Sequence, residues 1–369
     1  MNKKNTFCIF LSILLVSTFF SCSTQEKKVV FDIQSMPSIP LEGELMEEEL
    51  LAPYTIKMAF IQSKLFHFAP QHEVACLVTN EYADTLGYVG SIGGGPGEMN
   101  QWPEFVGTSV NQDTIFMFDT MSKHLNAYSL DTSSGSVKST FLYRKKMKED
   151  HLPERLLSNA IFSLRKLENG YYVGLRNMNH KDIFTLFDKD LKEIKRFGDY
   201  PIREGLETEE YRHTSYFDGP ITIKGNSIYY AVTRFAYMAR YDINDNGEVK
   251  KVWERKYAKT RSTMSNNKLR FYPDNIEGFS DLAVGKKYIF ASYSGIESGE
   301  AKRQRNVNAI KPKTLMVFNL EGTPLAKFSL DKRFTPLCLD EKEEYLYIKH
   351  NEPDMCLWRY KVSDILKHL

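Results

Sequence analysis

The sequence predicts an all-β fold, a six-bladed β-propeller, and three observations lead to it. Segments with a 3.6-residue apolar period are nearly absent. In their place stand short runs rich in Tyr, Phe, Val, Ile and Thr, broken by Gly, Asn and Asp, which is strand-and-turn punctuation; aromatics make up 13% of the chain, and they suit pleated surfaces. The runs also fall into six loose repeats, spaced by roughly 50–60 residues. A three- or four-stranded antiparallel unit cannot bury both faces alone, whereas six units set radially shield one another.

The chain opens with Lys3 and Lys4, an apolar run from Phe7 to Phe20 and then Ser21-Cys22. The run is too short to cross a bilayer as a helix, which needs ~20 residues. Residues 1–21 therefore read as a signal peptide. A cysteine directly after a small residue resembles a bacterial lipobox, so Cys22 is the expected first mature residue and lipidation site, with residues 22–28 as a lipidated tether. Residues 29–369 are expected to form a single propeller. Residues 36–53, with three prolines and Glu47-Glu48-Glu49, read as an irregular lead-in.

The repeats are Lys64–Ile92, Asp113–Tyr143, Gly170–Gly198, Asn226–Glu254, Lys287–Leu330 (with an insertion at Gly295–Pro312) and Glu344–Leu366. In each a middle strand ends near Asp or Asn, at Asp131, Asp188, Asp242 and Asn319, whose side chains can accept from the backbone two residues on. A hairpin tip and a charged outer strand follow, as in Asp245-Asn246-Gly247 and Val249–Glu254. The sixth repeat lacks an outer strand. The strand-like run Val29–Ile33 lacks a partner, and it is expected to complete that last blade.

Between the first two repeats lies LGYVGSIGGGPGEMNQWPEF, Leu86 to Phe105. Gly93, Gly95, Pro96 and Gly97 read as a backbone reversal linking two blades, with Glu98 bonded to turn amides. A phosphate loop would need Gly-Lys-Ser/Thr here, and Glu98 would repel a phosphate.

Net charge is +2, from 49 Lys and Arg against 47 Asp and Glu. Loss of residues 1–21 removes two lysines and leaves a neutral mature chain, which argues against nucleic acid as a partner. Cys76, Cys338 and Cys356 show no metal spacing and read as buried free thiols. No HExxH or His-x-His pattern occurs among the eight histidines, so no metal and no cofactor are expected. The connections Lys146–Ala160, Tyr200–Pro220 and Tyr257–Phe279 are long. They carry Tyr211, Arg212 and His213, Arg261, and Arg270 beside Tyr272, the arginine–aromatic pairing that suits carboxylates or sugars. Trp102, next to Pro103, is expected to pack under the glycine turn, with the channel mouth as the alternative place; with it, Tyr211, Arg212, His213, Arg270 and Tyr272 form the candidate ligand-binding set.

The lipobox-like start, the degenerate repeats and a G-x-G-P-G-E signature carried by Gly93, Gly95, Pro96, Gly97 and Glu98 together resemble the TolB-like six-bladed propeller lipoproteins of Bacteroidetes. Gly94 and Met99 depart from the polar and aromatic residues usual at their positions. The resemblance implies a propeller, a cell-envelope address at the outer membrane through a lipid anchor, and no established activity. The expected function is a binding or scaffolding module for a glycan, a peptide or an envelope protein. The alternative is a hydrolase or lyase acting on a carbohydrate or lactone, with a metal in the central channel.

Overall fold

The computed structural model describes residues 31–52, 55–69, 73–100, 103–133, 135–148, 161–176, 182–202, 217–265, 268–304, 311–351 and 355–369. Six antiparallel sheets follow one another along the chain and stand as blades around an axis. Each blade runs from an inner strand to an outer one. The inner strands are Lys57–Ile61, Pro103–Thr108, Ile161–Lys166, Ile221–Lys224, Phe279–Val284 and Phe334–Leu339. The sequence repeats coincide with the second, third and fourth strands, in the sixth blade with the second and third alone, and omit the inner one in every blade. The inner strands are short, and several sit directly behind a long connection or a Gly-Pro step.

Six apolar clusters, one between each neighbouring pair of blades, form the core. The strand Ser227–Ala231 shows how alternation achieves this. Ile228 and Tyr230 face the third blade, while Tyr229 and Ala231 face the fifth. Each fully buried aromatic of this kind contributes roughly 2–3 kcal/mol of apolar burial, so the blades hold one another through faces that no single sheet could cover. The hairpins joining third to fourth strands repeat one side-chain motif. The carboxamide or carboxylate oxygens of Asn80, Asp188, Asn244 and Asn319 each accept two backbone N–H groups, two and four residues on. In the fourth blade the turn residue is therefore Asn244 and not the expected Asp242, which instead pairs with Arg240 and Ser227.

The ring is closed by an N-terminal strand, but a later one than expected. Glu44–Glu47 pairs antiparallel with Leu357–Lys361 as the outer strand of the sixth blade. Ser38–Pro40 adds in parallel to the outer strand of the fifth. The segment expected to be irregular is thus a strap over consecutive blade edges. Val29 and Val30 lie outside the described residues; the N–H groups of Phe31 and Ile33 donate to Lys256 and Tyr257 carbonyls at 2.9 and 3.3 Å, at the edge of the fourth blade. The strand-like composition favoured Val29–Ile33, yet pairing went to a segment whose Met46 packs into the sixth-to-first seam and whose Glu44 meets Arg359 at 2.8 Å.

Cys76, Cys338 and Cys356 are buried free thiols.

Candidate functional site

Antiparallel order within each blade puts every inter-blade connection, together with the links between second and third strands, at one end of the ring. Among the described residues the opposite end carries tight turns and the C-terminal helix Val362–Leu366. The described ends of the long connections singled out in the sequence thus share one face.

The axis beneath that face is occupied by two charged hubs. Arg165 donates to Glu104 at 2.7 Å and to the Phe105 carbonyl at 2.8 Å in the second blade, and to the Ile221 carbonyl at 3.2 Å in the fourth. Glu104 also accepts from Ser163 and from the Leu164 N–H. One ion pair therefore joins blades two, three and four. Asp281 of the fifth blade accepts from Lys57 of the first at 2.6 Å and from the Leu337 N–H of the sixth at 3.0 Å, joining the other three. Thr222 donates to the Leu282 carbonyl and ties the two halves. The sixth-to-first seam also buries Lys349, whose amine is pushed down to about 8 by burial and by Lys311. His67 lies in the same seam, pushed down to about 3 by burial and by Lys349.

The glycine stretch is a structural link, as read from the sequence. The Gly95 N–H donates to the Glu98 carboxylate at 2.7 Å, Tyr128 donates to the Gly97 carbonyl at 2.7 Å, and Arg144 donates to the Glu98 carbonyl and to Asn126. Gly97 sits at φ 78°, and a Cβ there would meet Phe141 at 2.7 Å.

Among the sequence-chosen ligand residues, Trp102, Tyr211, Arg212 and His213 lie outside the described residues. Arg270 and Tyr272 are exposed, on and just after the hairpin Ser262–Ser265/Lys268–Phe271. Tyr272 meets Arg261, whose guanidinium lies 4.7 Å over its ring. Arg261 also pairs with Asp274. The buried Asn275 clamps the Arg261 backbone from both sides, accepting from its N–H at 2.8 Å and donating to its carbonyl at 2.7 Å. Arg261 thereby stands at the lip of a cavity of about 400 Å³ lined by Lys259, Arg261, Asp274, Asn275 and, from the N-terminal strap, Asp32 and Gln34. Gln34 is held by donation to Tyr293 at 2.8 Å and to the Gly295 carbonyl at 3.0 Å. Sequence reasoning found Arg261 and Tyr272 but missed the strap side, because residues 225 or more positions away in sequence leave no local signal.

A second group surrounds Arg234, in the link between the second and third strands of blade four. Glu277, 2% exposed, accepts from Ser298 at 2.6 Å and lies 3.6 Å from Arg234; its other oxygen has no partner. Burial pushes the Asp218 carboxyl up to about 7, with Arg234 opposing. Asp218-Gly219 and Glu277-Gly278 precede the inner strands of blades four and five. A Cβ on Gly219 would lie 2.0 Å from the Ala231 carbonyl oxygen, and one on Gly278 would lie 2.3 Å from those of Val232 and Phe235. Such contacts admit only glycine. This repeated acid–glycine step was the overlooked signal.

A closed ring of six blades of four or five strands, with charge-paired inner strands, defines the protein as a six-bladed β-propeller. The profile of the TolB-like 6-blade propeller-like family matches residues 85–342, and the chain belongs to this family. Its fold is similar to the crystal structure of a protein from Bacteroides fragilis NCTC 9343 named as exported, with a TM-score of 0.56 at 12% identity, over 90% of this chain and 97% of that one. A structure of U3-55K is similar at a TM-score of 0.50 and 9% identity, over 87% of this chain and 99% of that one. No curated protein matches the sequence.

Proposed function

We propose that this protein is an exported, lipid-anchored cell-envelope module that uses its loop face to bind a glycan, a peptide or an envelope protein. The observation that carries the reading is the cavity beside Arg261. A guanidinium fixed by Asn275 and stacked on Tyr272 offers planar N–H donors next to an aromatic face, at the rim of a space wide enough for a sugar ring or a short peptide turn. The lipobox-like Cys22 and the exported name of the Bacteroides fragilis neighbour support the envelope address. Anchoring at the outer membrane is part of the same proposal. Among the described residues no helix is long and apolar enough to cross a membrane, and acylation would supply attachment without one.

The rival reading, metal-assisted hydrolysis or elimination in the channel, needs clustered ligands near the axis. Among the described residues no three His, Cys, Asp or Glu side chains gather to hold a metal, and the axial carboxylates Glu104 and Asp281 are committed to Arg165 and Lys57.

Two measurements test the proposal. Labelling with a fatty-acid probe should mark the parent and not Cys22→Ala, and the variant should leave the membrane fraction. Glycan and peptide arrays probed with the soluble propeller should give hits that Arg261→Ala weakens at least tenfold, about 1.4 kcal/mol. Hits indifferent to Arg261 and Tyr272 would remove the cavity from the proposal.

A further inference from the structure

We infer that the acid–arginine group over the fourth blade is a second binding site, a receptor for a ligand carboxylate, in which Arg234 supplies the fork of donors and Asp218 supplies a hydroxyl donor. This goes beyond the Arg261 cavity and rests on different residues. Arg234 is 47% exposed, and its only ion pair among the described residues is with Glu277, at 3.6 Å. That separation is too long for a hydrogen bond. Glu277 thus holds the guanidinium by charge while leaving its N–H groups unspent. Glu277 is itself fixed from below by Ser298, and its buried second oxygen has no donor. An under-compensated buried carboxylate of this kind keeps a cation above it.

Asp218 reaches the same place from the preceding inter-blade connection, whose backbone is tied to the Arg234 link by donation from the Thr233 N–H to the Asp218 carbonyl at 3.0 Å. Arg234 and Tyr230 act on Asp218 directly, while Tyr200 and Glu277 adjoin its neighbours. Arg234 favours its ionised form. Tyr230, from the second strand of the blade, is buried and donates to the Phe217 carbonyl. Tyr200 stacks on Phe217 at 4.7 Å. Glu277 acts through Arg234. Burial wins over Arg234, so the carboxyl is pushed up to about 7 and holds its proton in about half of the molecules at neutral pH and in most below it. The two side chains sense each other's charge, and their backbones are joined at Thr233; a protonated carboxyl beside a guanidinium with free N–H groups offers two donors to a carboxylate. Only Gly219 and Gly278 allow the two connections to approach the blade-four link closely enough to present them.

Sign follows from linkage. An arriving carboxylate repels ionised Asp218 and accepts from the protonated form, so binding takes up a proton and weakens as pH rises through about 7. The source can be an acidic sugar or a chain terminus, and the probes separate them: trigalacturonate, its methyl ester, and one peptide with a free or an amidated C terminus. Titration calorimetry at pH 6, 7 and 8, in two buffers of different ionisation heat, should show binding of an acid and not of its ester or amide. Proton uptake should rise from near zero at pH 6 through about half at pH 7 to near one per ligand at pH 8, and affinity should fall about fivefold between pH 7 and pH 8. Arg234→Lys, which keeps charge and loses the fork, should weaken binding about tenfold. Asp218→Asn should bind with affinity flat in pH, since the amide donates at every pH. Arg261→Ala should leave all this unchanged, so failure here is distinct from failure of the cavity. No acid binding at millimolar concentration would overturn the inference, and so would binding that Arg234→Lys and Asp218→Asn both leave untouched while circular dichroism shows them folded.

Discussion

Acidification from pH 7 to pH 5 should act on this fold through a few buried groups with opposite signs, and the balance can be worked from the structure. His67 and His350 are fully buried. Burial, with Lys349 adding for His67, pushes them down to about 3 and about 4 from 6.5. In the unfolded chain both take up protons below pH 6.5, while in the folded chain neither does until well below pH 5. Stability therefore falls as pH drops through 6.5, over one and a half units at about 1.4 kcal/mol per unit, or roughly 2 kcal/mol for each histidine by pH 5. His124 is lowered too, by burial and then Arg144, and adds in the same direction. Asp218 is raised from 3.8 to about 7. It binds its proton in the folded chain and not in the unfolded one over this window, so acidification returns roughly 2 kcal/mol. Lys349 stays protonated in both states below pH 8 and drops out. Net loss in the parent should be about 2 kcal/mol or somewhat more, out of a typical total of about 5–15 kcal/mol. Urea unfolding at pH 7, 6 and 5, at constant ionic strength, measures it. His67→Gln with His350→Gln should flatten or reverse the slope, because Gln retains a polar partner for Thr79 and for Tyr360 without the titration. Asp218→Asn should steepen it. A double histidine variant that loses as much stability as the parent between pH 7 and pH 5 would refute the reasoning.

Three further outcomes follow from the geometry. Arg165→Met removes the cation from the partly buried Glu104 and the tie across three blades, and should cost about 3 kcal/mol, read as a drop in the urea midpoint; adding Glu104→Gln should recover part of it. Gly94→Ala should be close to neutral, since a Cβ there meets nothing within 4 Å, while Gly97→Ala, at φ 78° and against Phe141, should lower stability by about 1–3 kcal/mol, so that thermal melts of the pair separate a structural signature from a ligand loop. Removing residues 2–47, and with them the outer strand of the sixth blade, should abolish cooperative unfolding, whereas removing residues 2–30 should leave the melt unchanged.

The blades were legible because their outer three strands obey local rules. Period-two alternation, an Asp or Asn at the turn and interspersed charge on the edge strand all act within about 30 residues, and each leaves a mark in sequence. The inner strands answer to a different constraint. They meet neighbours across an axis, so Lys57 finds Asp281 and Arg165 finds Glu104 at separations of 224 and 61 residues, and nothing near either residue announces the partner. The closing strand was misplaced for the same reason. Val29–Ile33 has the better strand pattern, but closure depends on what the sixth blade lacks and on how far the chain has wrapped when it arrives, which makes Glu44–Glu47 the segment in position. The candidate sites divide along this line as well. Arg261 and Tyr272 lie 11 residues apart in one connection and could be paired by composition, whereas Asp32 and Gln34 reach the same cavity only because the strap crosses that blade edge. Asp218 and Glu277 are intermediate. Each stands before a glycine that admits no side chain, in the stretches leading into two successive blades. In a radial repeat, an acid kept beside an obligatory glycine at a strand's start is a position read by the ring and not by its own neighbours. The loop-face chemistry of this protein is therefore best sought by aligning blades with one another rather than by scanning the chain for motifs.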